Sequence, residues 1–400
     1  MSKRLETEVW ALDRCCGCGD CIALCSKGVL LNGPESPSLE KRQKNLGLSH
    51  TTLDTCTFCP RFCEMGCPRM EEEWPALEPW RVVSARTKPI GAIMAGGVPS
   101  GEPGDVIKRL LVAAMAAGLV DGAIVSDVDP WTLQPQLKVA TTVGEVVDTL
   151  GTPYLWAPTL TAMNEAVYEL GLQALAVVGT PCVSQGLRKL RAADNSRLDP
   201  YKKALRLSIA EFCTGVYKPD LTIDALVEKM GIGRHAVKRL EASPREGLLT
   251  AVLWDGTTRT LPLSEVEGLM RLGCARCDDY VGESADIAVG TVGAKEGYTT
   301  LIVRSQAGDT CLRAALNMGL LEVSDEVDLA ALNMASREKD RRQRAQAFDK
   351  LTMMMLDALA EPLKRAEVKK AFIRLYDKSE GKSARALLEE ENCNVTCGQC

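Results

Sequence analysis

Two cysteine runs near the N-terminus constrain this chain before anything else does. Cys15, Cys18, Cys21 and Cys25 are separated by two, two and three residues; Cys56, Cys59, Cys63 and Cys67 by two, three and three, with the second run ending in Cys-Pro. The first spacing is the one by which bacterial ferredoxins hold 4Fe–4S clusters, with Ser26 where proline usually follows. In two-cluster ferredoxins the fourth cysteine of each run serves the other cluster. Cys15, Cys18, Cys21 and Cys67 are therefore expected on one cluster, and Cys25, Cys56, Cys59 and Cys63 on the other. Zinc also accepts four thiolates, but its sites usually pair two Cys-x-x-Cys knuckles, which these runs fit poorly. Cys16 is then extra and reads as a spectator thiol.

The whole chain has 17 cysteines and two histidines, His50 and His235, so mixed Cys/His metal sites are nearly excluded. A net charge of −5 and 4% aromatics leave no basic footprint or base-stacking platform for nucleic acid. The first residues, MSKRLETEVWALDRCCG, have no apolar core of a signal peptide. The longest apolar run, Leu110 to Val125, is interrupted by Asp121 and too short for a bilayer. Many thiols without an export signal fit a cytoplasmic protein with clusters rather than disulfides, and no integral membrane segment is expected.

The stretch Ala174 to Leu190 (ALAVVGTPCVSQGLRKL) reads as a buried strand, a tight turn through Gly179, Thr180, Pro181 and Cys182, and a basic helix start. Such a turn collects backbone N–H groups and the positive helix end at one spot, suited to a phosphate or an electron-rich cluster. Three cysteines lie far downstream, Cys213 in EFCTG and Cys274 and Cys277 in GCARCDD; with Cys182 they match the ligand count of a 4Fe–4S cluster. Around this stretch strands and helices alternate. Val106–Gly118, Val143–Thr149, Pro158–Leu170 and Leu221–Lys229 read as helices. Asp121–Ser126, Gln134–Thr142, Arg206–Glu211, Ala285–Gly290 and Thr299–Arg304 read as strands; GAIMAG (Gly91–Gly96) is a short apolar run. Ala251–Leu263 reads as a hairpin turning at Asp255-Gly256. The expected fold is α/β: a mixed sheet with flanking helices, preceded by a two-cluster ferredoxin-like domain (1–79) and followed by a helical C-terminal segment (323–400). From Thr310 onward the chain reads as mostly helical. The basic run Ser336–Ala345 reads as a solvated helix face. Cys393, Cys397 and Cys400 could bind metal with Cys311 as a fourth ligand, although Cys311 reads more simply as a buried thiol.

GTPC (Gly179–Cys182), GLRKL, FCTG, CARCDDYVGESADIAVGTVG and GYTTLIVRS (Gly297–Ser305), with DGAIV (Asp121–Val125) and the ferredoxin runs, together resemble the beta subunit family of coenzyme F420 hydrogenases and dehydrogenases. The resemblance covers about Arg14 to Glu322. It implies a main domain, 80–322, carrying FAD and a 4Fe–4S cluster on Cys182, Cys213, Cys274 and Cys277, three clusters in all. Two stretches depart from the family pattern. Its Gln-Asp-Gly-Gly turn is here Glu102-Pro103-Gly104-Asp105, with Lys108 where a helix threonine is usual, and its Ser-Pro is here Ala157-Pro158.

For the flavin, the expected contacts are the backbone of Gly179 and Thr180, Arg188 and Lys189 near phosphate, and the turn Gly290, Thr291, Val292 and Gly293. Arg188 and Lys189 could equally be an exposed helix face, and the two glycines could serve only the turn. Asp278 and Asp279 could cap a helix. The implied activity is an oxidoreductase. Electrons would pass between the clusters, fed by a ferredoxin or a catalytic partner subunit, and FAD, which exchanges hydride with coenzyme F420 or a similar soluble carrier. No side chain need act as nucleophile. The alternatives are a ferredoxin-dependent FAD reductase of an organic substrate such as a tetrapyrrole, as in relatives within the wider family, and an electron-transfer adaptor without its own substrate.

Overall fold

The structure is a computed structural model and describes residues 4–26, 28, 30–33, 35–39, 59–70, 76–88, 100–149, 155–243 and 247–343. Cys56, the run 91–96 and the three tail cysteines lie outside these residues. The chain divides into two units, Met1–Cys274 with Asp279–Ser336, and Ala275–Asp278 with Arg337–Cys400.

In the first unit, chain order gives α1 (Asp20–Ala23), β1 (Leu30–Leu31), β2 (Ser38–Leu39), α2 (Phe62–Gly66), β3 (Arg81–Thr87), α3 (Pro103–Ala116), β4 (Gly122–Val128), β5 (Pro135–Ala140), α4 (Val143–Val147), β6 (Leu175–Gly179), α5 (Pro181–Ala192), α6 (Asp199–Ala204) and β7 (Leu205–Glu211). There follow α7 (Pro219–Met230), β8 (Val237–Ser243), β9 (Leu248–Leu253), β10 (Thr258–Pro262), β11 (Ile287–Gly290), β12 (Thr299–Val303), α8 (Gln306–Asn317) and β13 (Leu321–Ser324). The main sheet has eight strands in the order β13-β3-β12-β11-β7-β6-β4-β5. Its middle strands β11, β7, β6 and β4 are parallel, and antiparallel pairings extend it on both sides.

Period-two alternation divides the sheet residues between two cores. Ala123 and Val125 of β4, Ala176 of β6, Leu207 and Ile209 of β7, Ile287 and Val289 of β11 and Leu301 and Val303 of β12 meet α3 and α8 on one face. Ile124, Leu175 and Val177 face the other way, onto Val183, Leu187 and Leu190 of α5, and Leu205 joins them because the β6–β7 register shifts between Leu175 and Ala176. That second core also takes in Cys16, Cys18, Ala23, Leu24 and Phe62, so the N-terminal cysteine section packs directly on the α5 face.

Strand β3 and helix α6 are not among the expected elements, and three further places differ in form. Pro158–Leu170 is helical but irregular, a 3-10 turn over Thr159–Ala162 passing into π-type winding over Glu165–Glu169. The hairpin β9–β10 gains a third strand, β8, which pairs antiparallel with β9 although VKRLEAS has no apolar alternation of its own. The region after Thr310 is not helical throughout: β13 returns to the sheet edge beside β3 before helical residues 329–343. Cys311 sits in α8 fully enclosed, its thiol donating to the Leu110 carbonyl at 3.4 Å, and burial pushes it up to about 12. It packs as a small hydrophobe.

Candidate functional site

The parallel strands deliver the singled-out residues to one edge. β6 ends at Gly179 and passes through Thr180 into α5; β7 ends at Glu211 and leads to Cys213; β11 ends at Gly290. The carboxyl edge of parallel strands is where ligands bind in sheets of this kind. α5 begins there with Pro181 at its first turn and no side-chain cap, the Thr180 hydroxyl lying instead 3.1 Å from the Cys182 sulfur. α3 also begins uncapped, and its approach residue Gly101 lies against Gly297 beside the start of β12, whose Thr300 pairs with Gly290. Two helices thus present first-turn N–H groups at this edge, the arrangement that suits an anion such as a pyrophosphate. Glu211, the last residue of β7, stands at this edge, and desolvation pushes its carboxyl up to about 7.

The expected flavin residues divide. Gly179 and Thr180 are at the edge; a Cβ at Gly179 would come within 2.9 Å of Val183. Gly290 is needed for packing, because a Cβ there would fall about 2.0 Å from the Phe212 ring. Gly293 adopts φ +89°, and its carbonyl takes the Asp328 N–H at 2.7 Å, while Val292 accepts from the Thr300 hydroxyl. Arg188 and Lys189 do not form an exposed face: Arg188 is half-buried and Lys189 buried. Lys189 turns toward the cysteine section, its Nζ 3.5 Å from the Met70 carbonyl and its charge close to Cys67 and Asp20. Asp279 caps no helix; it accepts from Gln185 on α5 at 2.9 Å and from the Glu283 N–H.

Cys15, Cys18, Cys21 and Cys67 line one pocket, with Gly17, Trp156 and Arg271 among the other walls. All four thiols are buried, and burial, the largest cause for three of them, pushes Cys15 up to about 11, Cys67 up to about 12, and Cys21 well up. A thiol held protonated by burial becomes a ligand only when a cation replaces its proton. Four such thiols fit a cluster by donor chemistry. No three Cys, His, Asp or Glu side chains among the described residues converge as they would round a single ion; in a four-iron cluster each thiolate takes its own iron, so the sulfurs stand further apart. In the second expected set, Cys25 and Cys59 are half-buried and Cys63 buried, with the Ser26 hydroxyl 3.4 Å from the Cys59 sulfur.

Cys16, read from sequence as a spectator, is the residue that reasoning missed. Its side chain hydrogen-bonds both Cys18 and Cys182, and these bonds hold its thiol well below the ordinary range while pushing Cys18 up. It therefore joins the N-terminal run to the turn at the head of α5. The only signal for this in the sequence is the Cys15-Cys16 doublet. Further round the edge, Cys213 donates its N–H to the Tyr280 carbonyl at 3.0 Å, and the Cys274 sulfur accepts the Val216 N–H at 3.4 Å. Cys277 is buried and belongs to the second unit.

The cysteine section is fastened to the main sheet at several points. Trp156 Nε1 donates to the Gly17 carbonyl at 2.8 Å and the Leu160 N–H to Cys18 at 2.9 Å. Arg271 is 1% exposed; its guanidinium lies 4.1 Å over the Trp156 ring and donates to the Glu35 carbonyl at 2.8 Å. The Leu272 N–H is bonded to the Glu35 carboxylate, which also pairs with Lys218 at 2.7 Å.

Comparison with known proteins adds the following. Residues 172–328 match the family model for the C terminus of the beta subunit of coenzyme F420 hydrogenase/dehydrogenase, and residues 94–164 match the model for its N-terminal part. An uncharacterized protein of Methanocaldococcus jannaschii is 33% identical over 354 residues, 85% of this chain and 97% of that protein. The coenzyme F420 hydrogenase subunit beta of Methanothermobacter thermautotrophicus is 29% identical over 221 residues, 55% of this chain and 77% of that protein. A chain of the F420-reducing NiFe hydrogenase complex from Methanosarcina barkeri superposes with a TM-score of 0.60 at 26% identity, covering 71% of this chain and 96% of that one. Among the described residues no helix is long and apolar enough to cross a membrane. On the residues matched, the mixed sheet and these relatives, the chain belongs to the coenzyme F420 hydrogenase/dehydrogenase beta subunit family.

Proposed function

We propose that this chain is an electron-transfer flavoprotein subunit. It would pass electrons between a ferredoxin or catalytic partner and coenzyme F420 through three 4Fe–4S clusters and FAD. The observation that carries the reading is that Cys16 and Cys18 lie in one buried core against which Cys182 packs. It sets the pocket of Cys15, Cys18, Cys21 and Cys67 beside the turn at the carboxyl edge of the sheet, and adjacency is what an electron route requires. When bound, the flavin supplies the exchange between single electrons from clusters and a hydride for the deazaflavin. The chain's residues then have assigned tasks. Cys15, Cys18, Cys21 and Cys67 would hold the first cluster, and Cys25, Cys56, Cys59 and Cys63 the second. Cys182, Cys213, Cys274 and Cys277 would hold the third. The N–H groups at the heads of α5 and α3 would receive the flavin pyrophosphate, with Gly179, Thr180 and the Gly290–Gly293 turn forming its floor and Arg188 half-buried on α5 nearby.

The test is anaerobic reconstitution with iron, sulfide and FAD, reduction by viologen, removal of excess reductant, and addition of oxidised F420. Loss of the deazaflavin absorbance is expected, and Cys182→Ser should abolish it while leaving FAD bound. Iron- and flavin-replete protein that leaves F420 unbleached would remove the F420 assignment. A Cys182→Ser variant that bleaches at the wild-type rate would remove the route.

A further inference from the structure

The pocket lined by Cys15, Cys18, Cys21 and Cys67 has a fifth cysteine in its wall, Cys16, and all five are buried. A 4Fe–4S cluster offers four irons to thiolates, so the wall carries one donor more than such a cluster uses at a time. Neighbouring residues of an extended chain point to opposite sides. Here the segment is wound instead, with Gly17 at φ +71° and Gly19 at φ +91°, and Cys15 and Cys16 reach the same pocket. The winding is held by the main chain: the Gly17 carbonyl accepts from Trp156 Nε1 at 2.8 Å and the Cys18 carbonyl from the Leu160 N–H at 2.9 Å. A Cβ on Gly19 would stand 2.6 Å from the Pro158 carbonyl oxygen, so the segment lies tight against the main domain. The five cysteines pack in two groups. Cys15, Cys21 and Cys67 belong to one apolar cluster with Leu5, Val9 and Met70; Cys16 and Cys18 belong to another with Val183 and Leu187 of α5. Cys16 therefore shares the side of the pocket from which Cys18 comes.

A buried cysteine commonly packs as a small hydrophobe, and Cys311 shows that case, its thiol given to the Leu110 carbonyl inside α8. Cys16 differs in lining a pocket whose other sulfurs are four cysteines. With the main chain fixed at Gly17 and Cys18, an exchange of one sulfur for the other asks only for side-chain rotation between staggered states. The exchange balances: the bond from iron to the Cys18 sulfur breaks, one to the Cys16 sulfur forms, and the proton given up by Cys16 goes to Cys18. No electron is gained or lost, and the donor stays a thiolate, as iron requires.

We propose that Cys16 is an alternate ligand of this pocket, placed to take the iron that Cys18 otherwise holds. This rests on the cluster reading made above. The test is iron and sulfide analysis with electron paramagnetic resonance of the reduced full chain, after anaerobic reconstitution. Cys67→Ala decides the cluster reading: it should remove about four of roughly twelve irons, and if iron and spectrum stay as in wild type that reading fails and the role of Cys16 falls with it. Given that cluster, Cys18→Ala is expected to keep the wild-type iron content with an altered spectrum, because a different sulfur now binds. Cys16→Ala alone should keep both iron and spectrum, and the double variant Cys16→Ala with Cys18→Ala should lose about four irons. A merely packing role for Cys16 would make the double variant no poorer in iron than Cys18→Ala. The proposal is overturned if Cys18→Ala already loses as much iron as the double variant, or if the double variant keeps the wild-type content. Should Cys18→Ala fail to fold, Cys18→Val, closer in size and equally unable to bind iron, takes its place in the same comparison.

Discussion

At the scale of single residues, the structure separates cysteines that sequence alone treats alike. Cys16 and Cys18 are both buried and two positions apart, yet their mutual hydrogen bond drives them in opposite directions, Cys16 down and Cys18 up. Only Cys18 lies in the ferredoxin spacing. Cys16→Ser is accordingly expected to leave the iron content near wild type, whereas Cys67→Ser should remove about four of roughly twelve irons; iron and sulfide analysis of anaerobically purified protein checks both. Asp286 is the clearest structural residue. Its carboxylate takes the Ser208 N–H at 2.8 Å, the Ser208 hydroxyl at 2.7 Å and the Ser305 hydroxyl at 2.7 Å, and pairs with Arg191 at 3.4 Å. Replacing it with alanine strands these donors, and a loss of about 3 kcal/mol is expected in denaturant unfolding of the apoprotein.

At the scale of elements, legibility followed how local the cause was. The spacing of the two runs groups Cys15, Cys18, Cys21 and Cys67, and the structure brings these four to the lining of one pocket. Strands β4, β6, β7 and β11 were readable because each is a short apolar run bounded by turns. Strand β8 was not, since its residues are held by β9 and carry little apolar pattern, and β13 is a four-residue edge strand following a helix. The burial of Lys189 was invisible for another reason: α5 is covered by the cysteine section, which no periodicity within α5 reports. Helix α4 shows the local case at its simplest. Thr142 and Glu145 form a reciprocal capping box, and the Thr141 and Thr142 N–H groups hold the Glu145 carboxyl below its usual range. A depressed carboxyl contributes stability that is present above its unfolded value, near 4.5, and lost as pH falls through the folded value. Glu145→Gln should therefore lose less stability than wild type on acidification from about pH 5 to pH 3, measured by thermal melting across that range.

At the scale of the whole molecule, the sheet faces divide the labour. One face, against α3 and α8, is plain hydrophobic core; Leu110→Ala there should cost about 3 kcal/mol and leave the iron content intact. The other face joins α5 to the cysteine section, so changes there should alter cofactor content together with stability. The pocket of Cys15, Cys18, Cys21 and Cys67 is finished by Arg271, about 250 residues further along the chain. That imposes an order of events during synthesis. The first cysteine run leaves the ribosome some tens of seconds before its last wall does, and for that interval its thiols face the surrounding solution. If the pocket takes the proposed cluster, iron would reach it either before the segment carrying Arg271 completes the wall or after it.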